Sequence, residues 1–273
     1  MNKIVKTLGW SLFPRHLAKK YFYKDKWAEP EQAIVPIFLN KDTECIDVGA
    51  NRGRYTALMS MFSRYVHAFE PSPGCLANLR DLCLPNASIY PYALSQSAGV
   101  AEYFFPIEDD LHVNTLGTLD RSVIASYPKI DNYSVETSTL DVLFDKPISF
   151  VKIDVEGHEM EVLAGGKKLI SEQKPVFLVE AEERHRANAL QTIQDFFSDF
   201  GYQGFYAWDG AILPLSSFSD DLQNPQEIDR PVSRKEMRYV NNFFFLPDTQ
   251  DRKFLVEKMA VQFNDAQFDW ALM

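Results

Sequence analysis

The chain has 273 residues, 46% of them hydrophobic and 24% charged, which suffices for one generous domain with a large core. Its formal net charge of −10 argues against a nucleic-acid binder, whose affinity comes from clustered cations facing phosphates. Cys45, Cys75 and Cys83 form an odd set without metal-type spacing, so free thiols in a reducing compartment are expected, with Cys45 in the core.

The first 26 residues stand apart from this acidic chain. They carry Lys3, Lys6, Arg15, Lys19, Lys20, Lys24 and Lys26 against Asp25, among leucines and aromatics. The apolar part is short and broken by Lys6 and Pro14, which fits a signal peptide badly. Residues 1–40 therefore read as a basic helical extension of a cytoplasmic protein. It either caps the domain or touches the inner face of a membrane through an amphipathic surface. Residues 41–247 read as the main domain, with an insertion at 107–137, and 248–273 as a helical tail.

From Asp42 onward, short apolar runs alternate with helical patterns. "TECIDVG" and "YVHAFEP" read as strands, separated by the helix "RYTALMSMFS" and followed by the helix "PGCLANLRDLC". "SIYPYALS" and "VAEYFF" are further strand-like runs. "PISFVKIDVEG" and "PVFLVEAE" read as buried strands around the helical "HEMEVLAGGKKLISEQ", and the helix "ANALQTIQDFFSDFGY" precedes two late strands, "QGFYAW" and "NNFFFLP". Strands alternating with helices imply βαβ units around a parallel sheet covered on both faces, with ligands at the carboxyl ends of the strands.

The turn after the first strand reads Asp47-Val48-Gly49-Ala50-Asn51-Arg52-Gly53. Its glycines let a ligand approach bare backbone, Asn51 tolerates a left-handed conformation, and the following helix aims its free N–H groups at an anionic group. Neither a P-loop nor a GxGxxG pattern is present. Glu70 closes the next strand, before Pro71 and Ser72, where a carboxylate accepts hydrogen bonds from both ribose hydroxyls of a nucleoside. That leaves a nicotinamide dinucleotide or S-adenosylmethionine. No tyrosine has a lysine four positions on, as a short-chain dehydrogenase needs, and Asp47 suits an ammonium and a sulfonium better than a pyrophosphate. S-adenosylmethionine is the expected cofactor.

"ECIDVGANRGRYTALMS", "HAFEPSP", "STLDVLF" and "VKIDVEGHEMEVLAGG" occur in this order over about residues 40 to 210, and together they resemble the FkbM family of methyltransferases. The resemblance implies an α/β class I methyltransferase (Rossmann-like) fold, a mostly parallel seven-stranded sheet with helices on both faces. It also implies S-adenosylmethionine-dependent O-methylation of hydroxyls on sugars or polyketides, and it places Ala93 and Leu94 beneath the adenine. The acceptor expected here is a sugar or glycan hydroxyl. Residue chemistry supports an enzyme, because a sugar hydroxyl needs a base as the C–O bond forms. His158, Asp154, Glu156, Lys152 and Glu180 are the catalytic candidates, with Asp154 also facing the cofactor. His158 stands where the family usually has a small residue, so the identity of the base is open. Four acids in a small space suit Mg²⁺, but no motif fixes a metal and none is assigned. His67 and His185 are read as structural. His112 and Asn114, in the polar insertion, are candidate acceptor contacts, and Tyr206 and Trp208 can stack on a sugar face. A binding module of the same fold without turnover is the rival reading.

Overall fold

The protein is described by a computed structural model over residues 3–12, 29–109, 111–227 and 238–265. After a short helix, α1 (Lys3–Leu12), the main sheet begins with β1 (Glu44–Val48), whose five residues are all buried. That is the burial of a strand covered on both faces. Next come α2 (Arg54–Phe62), β2 (Tyr65–Phe69), α3 (Pro73–Asp81) and β3 (Ala87–Tyr90). Pro73 opens α3 at a position where its missing N–H costs nothing.

Four strands follow that build a separate small sheet: β4 (Ala93–Leu94), β5 (Gly99–Glu108), β6 (Leu111–His112) and β7 (Ile130–Ser138). The main sheet resumes with β8 (Ile148–Ile153), α4 (Glu159–Ala164), α5 (Lys167–Gln173), β9 (Val176–Glu180) and α6 (Ala189–Asp199). It ends with β10 (Tyr202–Trp208), β11 (Ala211–Pro214), β12 (Asn242–Pro247) and α7 (Arg252–Asp265).

The main sheet has the order β11-β10-β12-β9-β8-β1-β2-β3. Neighbours from β9 to β3 pair in parallel, and β12 is antiparallel to both β9 and β10. The expected seven strands are present with one more. The eighth, β11, hairpins back from β10 through Asp209-Gly210, both at positive φ (48° and 76°), as a tight hairpin turn requires. Alternate residues of the same strands feed the two faces. Val151, Phe243 and Phe245 join the core on one side, and Phe150, Phe244 and Leu246 the core on the other. Helix α7 packs on the second face through the fully buried Met259.

The insertion differs from a plain loop. β5 and β7 pair antiparallel from Gly99↔Thr137 to Pro106↔Ile130, around a small core of Tyr103, Phe105 and Val135. The single helical pattern after β8 divides at Gly165–Gly166, and Gly165 packs so closely on Ser95 that a Cβ there would lie 2.2 Å from its carbonyl oxygen. Helix α1 turns Lys6 onto Asp81 of α3 and leaves Leu8 and Leu12 exposed, so it is the lysine, not the leucines, that faces the domain. Arg15, Lys19, Lys20, Lys24 and Lys26 lie outside the described residues. No helix among the described residues is long and apolar enough to cross a membrane.

Candidate functional site

The turn after β1 is shaped by what packs beneath it. Gly49 has φ 77°, and a Cβ there would sit 1.7 Å from the Asp154 carbonyl oxygen, so only glycine lets this turn meet the end of β8. The N–H groups of Gly49 and Ala50 both donate to the Phe69 carbonyl at 3.0 Å, tying the turn to β2. Asn51, at φ 50°, donates its N–H to Glu70 Oε2 (2.8 Å), and the Ser72 N–H donates to Glu70 Oε1 (2.7 Å). The Glu70 carboxylate is thus fixed by backbone on both oxygens while it lines a cleft.

Burial pushes Glu70 up to about 7, against the pull of those two N–H groups. Asp47, which accepts from Thr56 Oγ1 at 2.5 Å, rises to about 6 for the same reason, opposed by Thr56 and Lys152. Gly53 plays another part: it lies against Leu79 and Leu82 and lets α2 approach α3.

Two cavities meet across this turn. One runs from Glu70 and Pro71 over Ala93 and Leu94 to Val155, Glu156 and His158, and is roofed by Tyr103, Thr115, Gly117, Thr118 and Leu119 from the insertion. The other, of about 580 Å³, shares Gly49, Asn51, Thr115 and Asp154 with the first. It extends past Asp47, Ala50, Arg52, Arg54, Tyr55 and Lys152 to Glu29. A half-apolar pocket joined to a charged one suits a nucleoside carrying an amino-acid tail.

At the junction the ends of β8 and β9 gather a buried ionic cluster. The Lys152 ammonium donates to Asn242 Oδ1 (2.9 Å) and stands 3.8 Å from Asp154 Oδ2 and 3.7 Å from Glu180 Oε2. Burial disfavours its charge, but Asp154, Glu180, Glu29 and Asp47 outweigh that and raise its pKa. Burial also raises Asp154 and Glu180, and mutual repulsion adds to Glu180. The two carboxyls thus flank one buried ammonium. Asn241 Nδ2 donates to Glu180 at 2.5 Å, and Tyr55 donates its hydroxyl to Glu29 Oε2 at 2.6 Å.

The structure therefore brings Asp47, Gly49, Ala50, Asn51, Glu70, Pro71, Ala93, Leu94, Lys152, Asp154, Glu156 and His158 to one bipartite cleft, with Ser72 and Glu180 directly behind it. His158 Nε2 is 2.9 Å from Ser95 Oγ, near the Ala93–Leu94 end, and burial lowers its pKa. Four acceptor candidates lie differently. His112 is exposed on β6, 3.7 Å from Asp131, and Asn114 opens the short turn 114–116 next to the lining residue Thr115. Tyr206 is 2% exposed, with its hydroxyl donating to the Ser217 carbonyl (3.3 Å), and the Trp208 ring lies under the Arg238 guanidinium. Neither Tyr206 nor Trp208 is among the cleft residues. Glu29, Tyr55, Thr56 and Tyr103 belong to the site without having been anticipated. Tyr55 and Thr56 follow the glycine turn directly, whereas Glu29 and Tyr103 come from segments far from any motif.

Residues 47–203, more than half of the chain, match the methyltransferase FkbM domain. The chain belongs to the FkbM methyltransferase family. Its cofactor is S-adenosylmethionine, and the bare turn at Gly49, the fixed Glu70 carboxylate and the acids lining the second cavity fit that cationic nucleoside. Solved structures with a similar fold include methyltransferase FkbM from Methylobacillus flagellatus KT, at 16% identity and TM-score 0.48. That match covers 76% of this chain and 44% of the other, so the present chain spans under half of that protein's length. The SMU.1697c protein of Streptococcus mutans, in complex with SAH, is 9% identical with TM-score 0.43, over 79% of this chain and 94% of that one. A SAM-dependent methyltransferase from Aquifex aeolicus is 11% identical with TM-score 0.40, over 85% and 97%. No curated relative matches the chain.

Proposed function

We propose that this methyltransferase methylates a hydroxyl oxygen of a sugar, in a surface glycan or glycolipid. The observation that carries the reading is the buried Asp154–Glu180 pair flanking Lys152, where the two cavities meet. A sugar hydroxyl is a poor acid and must lose its proton as the new C–O bond forms, so a buried carboxyl of raised basicity is a suitable base. The bound cofactor supplies an electrophilic methyl on a sulfonium. Lys152 fixes the carboxyl pair, and Glu70, Asp47 and the turn at residues 49–51 hold the nucleoside and its ammonium. Around the 580 Å³ cavity, Glu29, Arg52, Arg54 and Asn78 offer donors and acceptors to a polyhydroxyl, and Tyr55 offers a ring. We assign His158 to the nucleoside end through Ser95, and Glu156 to the wall between. Helix α1, with Leu8 and Leu12 exposed, is a candidate peripheral membrane contact for a cytoplasmic enzyme on lipid-linked substrate. Salt-sensitive sedimentation with anionic vesicles, lost on removing residues 1–26, tests that contact.

Single-turnover methyl transfer to a glycan acceptor separates the roles. Glu180→Gln should slow the chemical step about 10²–10⁴-fold with cofactor affinity little changed. His158→Ala should act mainly on cofactor affinity. The reverse pattern would make His158 the base, and parental rates in both variants would remove the carboxyl pair from the chemistry.

A further inference from the structure

A second donor set lies beside the carboxyl pair. The chain leaving β8 carries Glu156, and the turn leaving β9 carries Glu182 and His185; one ligand atom from each lies within 4.8 Å of the other two. His185 Nε2 stands 3.3 Å from Glu156 Oε2. Ligands bound at about 2.0–2.2 Å to one ion stand roughly 3–3.5 Å apart, so small side-chain rotations would close this set around a cation. We infer that Glu156, Glu182 and His185 form a binding site for one divalent transition-metal ion, at the edge of the methyl-transfer cleft.

The donors differ in kind. Burial drops His185 to about 4, so its imidazole is neutral and has a lone pair to give. Glu182 is held at about 2: burial opposes its charge, but the hydrogen bonds and charge of Arg184 prevail. Burial, with Asp154 and Glu182 beside it, pushes Glu156 well above the carboxylate range, against the pull of Arg184. The backbone is set for the task as well: Thr118 Oγ1 donates to the Glu156 carbonyl (2.7 Å), and the His185 N–H donates to the Glu182 carbonyl (3.0 Å). Arg184 now occupies Glu182 through Nε (2.6 Å) and Nη2 (3.0 Å), joined by the Tyr239 hydroxyl. The Arg184 side chain is 37% exposed, so an entering ion can displace it toward solvent.

Two carboxylates with an imidazole suit Mn²⁺ or Zn²⁺ better than the all-oxygen ions Mg²⁺ and Ca²⁺. Three protein ligands would leave positions open toward the cleft that Glu156 lines. The inference rests on Glu156 belonging to that cleft, but not on what the enzyme methylates.

The test uses the full-length chain stripped with a chelator, without cofactor or acceptor, titrated with Mn²⁺ under electron paramagnetic resonance and with Zn²⁺ by calorimetry. One ion per chain is expected, with ¹⁴N coupling from an imidazole in the pulsed Mn²⁺ spectrum. His185→Gln should abolish the coupling, and Glu156→Gln should weaken binding at least about tenfold, with metal-free melting temperatures near the parent's. If His185→Gln fails to fold, the parent's nitrogen coupling and Glu156→Gln decide. Failure of both ions to bind, binding without nitrogen coupling, or undiminished affinity in the folded variants would overturn the site. Because methyl transfer is not read, such a failure leaves the proposed activity standing.

Discussion

Glu70 shows how one carboxylate can serve both fold and ligand. Its oxygens accept the Asn51 and Ser72 N–H groups, yet it stays at about 7 because burial outweighs them. With Asp47 at about 6, the cofactor-free protein binds more protons than the unfolded chain between about pH 4.5 and 7. These two groups therefore stabilise the protein at low pH, and that contribution is lost as pH rises through 6 to 7. A cation bound beside ionised carboxylates reverses the preference, so cofactor binding should expel protons and strengthen across the same window. Calorimetry at pH 6.5 in two buffers of different ionisation enthalpy should show net proton release. Identical heats in the two buffers, with affinity constant from pH 5 to 8, would contradict the assignment. Glu182, held at about 2, acts with the opposite sign and loses its contribution only in stronger acid.

The element that most constrains the site is the turn after β1. Gly49→Ala would drive a Cβ into the Asp154 carbonyl and strain a backbone at φ 77°, so it should lower the melting temperature and abolish cofactor binding together. A variant that melts and binds like the parent would mean the turn can relax, and would remove the close approach from the account. This turn and Glu70 were readable in the sequence because glycine spacing and a strand-end acid are local signals. The small sheet was not. β7 presents Asp131, Asn132, Ser134 and Glu136 to solvent, so "IDNYSVETS" reads as a polar loop until Val135 and Tyr133 are seen packing on Tyr103 and Phe105. β11 escaped for a different reason: its turn, Asp209-Gly210, is a hairpin signal, but only four half-buried residues follow it. His158 was legible as a residue near the cleft but not as a partner of Ser95, since that contact spans 63 positions of chain.

At the scale of the whole molecule, residues outside the family domain complete what lies within it. Glu29 reaches Tyr55 in the second cavity from one end of the chain, and from the other α7 seals the sheet face that carries Phe150 and Phe244. Met259 is fully buried there, so Met259→Ala should cost about 2–5 kcal/mol of unfolding free energy, measurable as a lower urea midpoint with an unchanged slope. A midpoint like the parent's would show that α7 only decorates the sheet. We propose that these parts act together, the buried carboxyl pair taking the proton from an acceptor oxygen that the cationic cofactor methylates. The most direct measurement incubates the enzyme and glycan acceptors with cofactor carrying a ¹³C-labelled methyl group, and assigns the labelled product by nuclear magnetic resonance. The account predicts a methyl ether on a sugar hydroxyl, formed far more slowly by Glu180→Gln; a label on nitrogen or carbon, or none while the cofactor remains bound, would contradict it.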